Sequence, residues 1–370
     1  MKFTIEKNVI LEALNNVSKA ISTRNIIPIL NGIKFELNKD GLYLTASDSE
    51  LNIKQLIKRE KIKNVDKEGT IIVQSKYLLE IIRKMPNDII DFEVLDGFKI
   101  KIYTDTNQYN LNCMDPSEYP TIKIEERKDY LVINSNKLKE IIHQTIFAIS
   151  QQELRPLLTG LNLKIIGDSL ECVATDSYRL AKKTDKVNYK EEVNIILPGK
   201  NVMELEKTLP SDEDVEIHIF SNKVLFKYSD IYFQTNLLAG NYPNTNNLIP
   251  TEFKYIIKTN LSSFASAVDR AALLTQAKDK NIIKMIVNDN ILNINSYASE
   301  IGKVEETINI ECNNKEKLEI SFSSKYMLEA LKTFKDEDIL ILLNSDIKPI
   351  IIKSVEDDSL IQLILPIKTY

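Results

Sequence analysis

The sequence has few of the residues on which disulfide-rich, metal-binding and nucleotide-binding proteins depend: three cysteines, two histidines and nine glycines among 370 residues. Cys113, Cys172 and Cys312 are odd in number and widely separated, which argues against a disulfide framework or a metal site and predicts buried, reduced thiols. His143 and His218 form no metal-binding cluster and are expected to be structural. The small number of glycines also argues against a glycine-rich nucleotide-binding loop.

The chain also lacks long apolar segments. No apolar run approaches the roughly 18 to 20 residues that cross a bilayer, and residues 1–6 lack the apolar core of a signal peptide. Hydrophobic residues make up 43% and charged residues 27%, which is typical of folded globular proteins. We therefore expect a cytoplasmic protein that does not associate with membranes.

No arrangement of side chains indicates catalysis. Neither histidine belongs to a recognisable nucleophile arrangement. Gly199 and Lys200 suggest a phosphate-binding loop, but the upstream glycine and the Ser or Thr after the lysine are missing. Asp176 has no evident acid or base partner and is expected to lie in a turn. The sequence therefore indicates neither a catalytic site nor a metal site; an enzyme built from three related domains is the alternative.

A threefold repeat is the main positive feature. Related hexapeptides start 124 and then 125 residues apart: SKYLLE at 75–80, GKNVME at 199–204 and SKYMLE at 324–329. Prolines spaced by 123 and 123 residues mark the same repeat: Pro120, Pro243 and Pro366. Tandem copies of one domain suggest an arc or a ring rather than a catalytic cleft. Chance similarity between three domains of the same class is the alternative.

We predict three similar domains, at residues 1–125, 126–250 and 251–370. In each, a short strand leads to an amphipathic helix, and alternating β-type runs and a second helix follow. Asn136 is predicted to cap the first helix of the second domain, and in the third domain Asn260 directly precedes the apolar stripe of the first helix. The fold class is therefore α+β, with two helices packed on antiparallel sheets in each domain.

The net charge of −5 argues against nucleic-acid binding, but it hides an uneven distribution. The predicted helical stretches together carry +8, which leaves −13 for the rest of the chain. These stretches are residues 7–24, 75–84, 135–149, 199–207, 260–280 and 324–335. If they share one face, that face suits loose, sequence-independent contact with a phosphate backbone. The alternative interpretation is that the helices are simply rich in lysine, without a role in binding nucleic acid.

Five segments resemble the bacterial DNA sliding clamp family, the β subunit of DNA polymerase III, and the resemblance extends over the whole chain. They are RNIIPIL at 24–30, LTG at 158–160, CVATDSYRLA at 172–181, GNYP at 240–243 and LILPIKTY at 363–370. The resemblance implies that two subunits close head to tail into a six-domain ring around double-stranded DNA, with the helices lining the hole.

The function implied by the resemblance is that of a processivity factor in DNA replication. Such a homodimeric clamp is not catalytic and needs no cofactor. Its implied partners are double-stranded DNA, the replicative polymerase, the clamp loader and other clamp-binding proteins. A scaffold that binds peptides but never encircles DNA is the rival reading.

The resemblance also implies a pocket for partner peptides. By residue match it comprises Leu158, Thr175, Ser177, Tyr178, Arg179, Leu180, Pro243, Asn247, Leu248, Ile347, Pro349, Leu363, Ile364, Leu365, Pro366 and Ile367. Truncation before Leu363 is then expected to abolish peptide binding. The segment 244–247 and Lys368 depart from the family pattern, which leaves the preferred peptide sequence open.

Two further sets of residues follow from the resemblance. The residues implied to contact DNA are Arg24, Gln152, Arg155 and Lys200. The implied subunit interface joins two residues of the first domain, Tyr109 and Leu111, to two of the third, Leu273 and Leu274, by sheet-edge pairing and apolar contact.

Overall fold

The computed structural model describes residues 1–22, 25–152, 154–275, 281–298 and 301–368. Within these ranges it contains six α-helices and 26 β-strands, and every strand pairing is antiparallel. None of these helices combines the length and the apolar character that a bilayer crossing requires. The predicted α+β class is confirmed.

The helices begin within one residue of the predicted positions, but four of them end four to eight residues earlier than predicted. They are α1 (Lys7–Val17), α2 (Ser75–Lys84), α3 (Ser135–Thr145), α4 (Gly199–Glu206), α5 (Leu261–Ala272) and α6 (Ser324–Leu331). The strands are β1 (Lys2–Glu6), β2 (Gly32–Leu37), β3 (Gly41–Ser47), β4 (Leu51–Lys58), β5 (Ile62–Lys67), β6 (Gly69–Gln74), β7 (Ile89–Leu95), β8 (Lys99–Tyr103), β9 (Gln108–Asn112), β10 (Leu131–Asn134), β11 (Gly160–Ile166), β12 (Ser169–Thr175), β13 (Arg179–Lys186), β14 (Val193–Pro198), β15 (Asp214–Ile219), β16 (Lys223–Tyr228), β17 (Ile231–Asn236), β18 (Tyr255–Asn260), β19 (Ile282–Asn288), β20 (Ile291–Ala298), β21 (Gly302–Asn309), β22 (Glu311–Cys312), β23 (Leu318–Ser323), β24 (Asp338–Leu343), β25 (Ile350–Ser354) and β26 (Leu360–Ile364).

The chain divides into two compact units. Unit 1 comprises Met1–Lys137 and Glu204–Leu237, and unit 2 comprises Leu138–Met203 and Leu238–Tyr370. Each sheet lies within one unit. Unit 1 contains a five-stranded sheet, β5-β1-β7-β8-β9, and an eight-stranded sheet, β10-β15-β16-β17-β4-β3-β2-β6. Unit 2 contains a nine-stranded sheet, β14-β11-β12-β13-β26-β25-β24-β18-β22, and a four-stranded sheet, β21-β20-β19-β23.

Both units are built around helices that bury one apolar stripe. In α1 the buried residues recur at helical spacing, namely Ile10, Ala13, Leu14 and Val17. In unit 2, Phe264 of α5 and Met327 of α6 belong to one core cluster with Phe322 of β23, and all three are fully buried. The helical stripes pack against sheet residues whose side chains alternate between the two faces. The helical spacing and the strand alternation in the sequence therefore predicted both kinds of element.

The first helices of the second and third domains differ in their caps. Asn260 caps α5, since its side-chain oxygen accepts a hydrogen bond from Ser263 N at 2.9 Å. The prediction for Asn136 was wrong because α3 already begins at Ser135. Asn134 Oδ1 instead accepts from Asn136 N at 3.0 Å. Several polar residues in a row left the sequence with more than one candidate cap.

The positive charge predicted for the helices lies largely beyond their ends. As bounded in the structure, the six helices carry a net charge of +2 rather than +8. The remaining +6 comes from Lys19, Lys207, Lys332 and Lys335, which follow helix C-terminal ends, and from Arg24 and residues 278–280, which lie outside the described residues. Cations at these positions complement the helix dipole. The helices alone therefore do not make a positive surface.

The cysteines are free, as predicted, but only one of them is fully buried. Cys172 is buried, whereas Cys113 and Cys312 are half-buried. Burial raises the pKa of the Cys113 thiol and of the Cys172 thiol to about 12 in each case. The expectation of three buried thiols was therefore correct for Cys172 alone.

Candidate functional site

Unit 2 contains an apolar cavity of about 540 Å³, which we call the Leu158 pocket. It is lined by Arg155, Pro156, Leu157, Leu158, Thr175, Ser177, Pro243, Thr245 and Leu248. Leu158 is buried, whereas the Leu248 side chain is half exposed at 51%. A concave, mainly apolar cavity of this size with a few polar groups suits the apolar side chains of a ligand.

The first wall of the pocket is a short 3-10 turn, Pro156–Thr159, that leads into β11. The ring of Pro156 fixes the backbone at the start of the turn, and Thr159 Oγ1 donates to the Pro156 carbonyl at 2.7 Å. Leu157 packs on Gly240, where an added Cβ would lie 3.0 Å from Leu157 Cδ2. Gly240 also has a φ of +136°, a conformation that favours glycine.

The second wall is the tight turn between β12 and β13. Thr175 Oγ1 donates to the Arg179 carbonyl at 2.6 Å. Asp176 Oδ1 accepts from Tyr178 N at 2.9 Å and from Arg179 N at 3.0 Å, which confirms the predicted turn role of Asp176. Ser177 adopts a positive φ of 78° at the centre of the turn. These bonds hold Thr175 and Ser177 against the cavity.

Arg155 joins the two walls at their exposed edge. Its Nη1 donates to Ser177 Oγ at 2.8 Å, and its side chain is otherwise exposed. The resemblance implied a DNA contact for Arg155. The structure puts the residue in the pocket wall, where it supplies the one positive charge among the lining residues.

Arg179 supports the pocket from behind and does not line it. The side chain is buried, with Nε 3.1 Å from Asp176 Oδ2 and Nη2 donating to the Phe147 carbonyl at 2.7 Å. Its Nη1 forms a salt bridge with Glu329 of α6. The guanidinium lies 4.5 Å from the centre of the Tyr326 ring. Charge-assisted bonds and ring stacking therefore fix the turn against the third copy of the repeated hexapeptide.

Only part of the predicted pocket comes together around this cavity. The predicted residues that line it are Leu158, Thr175, Ser177, Pro243 and Leu248. Ile347 and Ile367 line a separate cavity of about 340 Å³ in unit 2. Tyr178, Asn247 and Leu365 are exposed, and Pro349 and Pro366 are half-buried.

Three other predicted pocket residues are core residues. Leu180 and Leu363 are cross-strand partners within one buried cluster, and Ile364 belongs to the main core of unit 2. A match to consecutive residues selects side chains on both faces of a strand, whereas only one face meets the cavity. The lining residues that the pocket prediction missed are Arg155, Pro156, Leu157 and Thr245, of which the first three directly precede the recognised segment 158–160.

The predicted DNA contacts are exposed where the structure describes them. Gln152 and Lys200 are both exposed, and Arg24 lies outside the described residues. The predicted interface residues are also accessible. Tyr109 is 36% exposed and Leu273 is 65% exposed, while Leu111 and Leu274 are half-buried. Their roles stay predictions.

One group among the described residues has the composition of a metal site. The ligand atoms of Glu126, Glu216 and His218 lie within 4.8 Å of one another. The Lys227 ammonium already lies 2.7 Å from Glu126 and 3.3 Å from Glu216, and the hydrogen bond that it donates to Glu126 raises the pKa of Lys227. His218 Nδ1 accepts from Arg127 N at 2.9 Å. An ammonium paired with both carboxylates disfavours a cation there.

Comparison with protein families accounts for almost the whole chain. The models of the DNA polymerase III beta subunit match in order: the N-terminal domain at residues 1–123, the central domain at 132–244 and the C-terminal domain at 246–368. The chain belongs to the DNA polymerase III beta subunit family. The predicted family is therefore confirmed, together with the three clamp domains and a subunit that is not itself an enzyme.

Individual relatives are similar over their full length. The beta sliding clamp of Bacillus subtilis is 39% identical, and that of Staphylococcus epidermidis is 38% identical; in both cases 100% of each chain is covered. The crystal structure of the DNA polymerase sliding clamp from Bacillus subtilis has a TM-score of 0.96 at 38% identity, with 100% of both chains covered. The DNA polymerase III beta chain of Streptococcus pneumoniae has a TM-score of 0.95 at 31% identity, again with 100% of both chains covered.

Proposed function

We propose that this chain is a processivity factor of DNA replication, a sliding clamp that encircles double-stranded DNA and tethers the polymerase to it. The observation that carries the proposal is the family match through three successive clamp domains. A closed ring holds DNA by topological linkage, so loose contact with phosphates is sufficient and catalysis is not required. The clamp acts in the cytoplasm, and an ATP-driven loader supplies the chemistry of loading.

The domain boundaries of this clamp are 1–125, 126–250 and 251–370. The even spacing of the repeated hexapeptides and of the three prolines supports them. Each domain then holds two helices, which is the content expected of one repeat.

The Leu158 pocket receives the apolar anchor of a partner peptide. Its walls offer Leu157, Leu158 and Leu248, and Arg155 provides a polar group at the edge. Apolar anchors that fill such pockets carry most of the energy of a peptide complex. The replicative polymerase, the clamp loader and other clamp-binding proteins are the partners that would share the pocket.

Substitution at the exposed rim tests this role without disturbing the fold. Leu248→Asp is expected to weaken binding of a fluorescein-labelled peptide from the replicative polymerase by at least about tenfold, because it puts a charge where an apolar anchor packs. Val355→Asp, at a position 43% exposed outside the pocket, is the control. If the two variants bind the peptide with equal affinity in fluorescence polarisation, the Leu158 pocket is not the peptide-binding site.

Truncation before Leu363 is a poorer test of the pocket than substitution at its rim. Strand β26 pairs with β13 on one side and β25 on the other, so it is central to the nine-stranded sheet. Removing its end would unfold unit 2 as well as change the pocket.

DNA is held by Arg24, Gln152, Arg155 and Lys200 in a sequence-independent way. The experiment that tests this measures how much of the protein is retained on nicked circular DNA before and after the DNA is linearised. A ring is retained on the circle and released from the ends of the linear form. A peptide-binding scaffold that does not encircle DNA would show no such difference.

The ring closes as a homodimer through Tyr109 and Leu111 of one subunit and Leu273 and Leu274 of the other. Strand β9, which carries the first pair, is an edge of its sheet, and Leu273 is exposed directly after α5. Leu273→Asp is expected to produce monomers in light scattering at micromolar concentration, whereas Leu154→Asp, at a position 90% exposed, leaves the dimer intact. A monomeric parent protein would refute the proposed closure.

A further inference from the structure

A cavity of about 340 Å³ in unit 1 is not explained by the clamp function, and we call it the Lys54 cavity. It lies between the face of the eight-stranded sheet and residues 116–124. The sheet contributes Lys34, Glu36, Thr45 and Lys54, and the covering segment contributes Tyr119 and Ile122 among others. Its walls therefore combine two cations, one carboxylate and several hydroxyl groups with apolar surface.

The strand register aligns the polar residues in a single row. Lys34 of β2 pairs with Thr45 of β3, and Thr45 pairs with Lys54 of β4. Directly paired residues have their side chains on the same face of a sheet. The two ammonium groups thus flank the threonine hydroxyl along the cavity wall.

The two lysines differ in their partners. Lys34 Nζ lies 2.9 Å from Glu36 Oε2. Within the described residues, Lys54 has no carboxylate partner; its ammonium lies 4.1 Å from the centre of the Tyr43 ring. Burial lowers the pKa of Lys54. A half-buried ammonium without a carboxylate favours an anionic ligand.

The repeat in unit 2 offers an internal comparison. Each position of the row has an equivalent 128 residues later, and there the row reads Asn162, Val173 and Lys182. Lys182 forms a salt bridge with Glu171, whose equivalent in unit 1 is Tyr43. The unit 1 row therefore has an additional lysine and a hydroxyl, and it lacks the carboxylate that neutralises its counterpart.

Tyr119 provides a second, independent sign of a ligand. The residue is 8% exposed, and its hydroxyl has no hydrogen-bond partner within the described part of the chain. Burial raises the pKa of Tyr119, so the hydroxyl stays protonated and can donate. Buried polar groups are almost always paired, and a bound ligand would complete the hydrogen bonding of Tyr119.

We propose that the Lys54 cavity binds a small molecule through its carboxylate. Lys54 supplies the charge, Thr45 and Tyr119 supply hydroxyl donors, and Pro120 and Ile122 contact the apolar part of the ligand. Because Glu36 neutralises Lys34, the cavity has one uncompensated positive charge, which matches a monoanion better than a phosphate dianion. This assignment does not depend on the proposed clamp function.

Benzoate is a suitable probe, with the full-length protein and saturation-transfer NMR as the readout. Benzoate is expected to bind at millimolar concentration, more tightly than the uncharged benzyl alcohol or inorganic phosphate. Lys54→Met should weaken benzoate binding by about tenfold, and Tyr119→Phe, which removes only the hydroxyl, by about threefold. Circular dichroism checks that both variants remain folded.

Lys101→Met is the matched control. Lys101 is also a strand lysine of unit 1, and its ammonium lies 4.4 Å from the centre of the Tyr103 ring, outside the cavity. Its substitution should leave benzoate binding unchanged. Equal effects of Lys54→Met and Lys101→Met, equal binding of benzyl alcohol, or no binding of benzoate would each overturn the proposal. Tighter binding of phosphate than of benzoate would overturn the preference for a carboxylate.

Discussion

Arg179 is the residue on which the shape of the Leu158 pocket depends most strongly. Arg179→Met retains most of the length and apolar surface of the side chain but removes the guanidinium. Asp176 and Glu329 then lose their cation, and the Phe147 carbonyl loses its donor. The change therefore tests whether the guanidinium fixes the turn that carries Thr175 and Ser177.

The expected cost follows from burial. Removing one partner of a fully buried ion pair costs about 3–5 kcal/mol. The Glu329 side chain is 32% exposed and can be hydrated, which lowers that figure, whereas the loss of stacking on Tyr326 adds to it. We expect a loss of about 3 kcal/mol in the free energy of unfolding of unit 2.

The control is Arg155→Met on the opposite wall of the pocket. Arg155 is exposed, and within the part of the chain that the structure describes its side chain makes one hydrogen bond, to Ser177, so its loss should cost less than about 1 kcal/mol. Urea unfolding measures both variants, and hydrogen-exchange mass spectrometry should show faster exchange in residues 175–179 only for Arg179→Met. Destabilisation of both variants by the same amount would refute the reasoning.

Three further predictions concern pH, thiols and packing. A hydrogen bond from Arg270 lowers the pKa of Glu306, so the stability it contributes is present above the unfolded pKa and is lost as the pH falls through the folded value. Glu306→Gln should therefore unfold in less urea than the parent at pH 7, and the difference should vanish once the pH falls below the folded pKa of Glu306. Cys113 and Cys172 should resist iodoacetamide at pH 8 until urea unfolds the chain, because their thiol pKa values are about 12; mass spectrometry after alkylation measures this. Gly160→Ala should cost about 1–3 kcal/mol in urea unfolding, since the added carbon would lie 2.5 Å from a side chain on the neighbouring strand.

Much of the fold could be predicted from local patterns. The helical stripe of α1 and the cap at Asn260 each depend on residues close together in the chain, and both are observed. The threefold repeat needed only self-comparison. The incorrect cap at Asn136 shows the limit of such patterns. Asn134, Ser135 and Asn136 are consecutive polar residues, so the sequence did not specify at which of them the helix begins.

The family, the α+β class and the repeated helices follow from the sequence alone, because periodicity, capping and family motifs depend on residues that are close together in the chain. Tertiary structure decided which side chains meet. Leu363 matched the pocket by sequence but lies in the core, whereas Leu157 was missed and lines the cavity. The row of Lys34, Thr45 and Lys54 exists only because three strands pair in one register. A strand sequence specifies alternation between two faces, and only packing determines which face meets a cavity and which neighbours complete it.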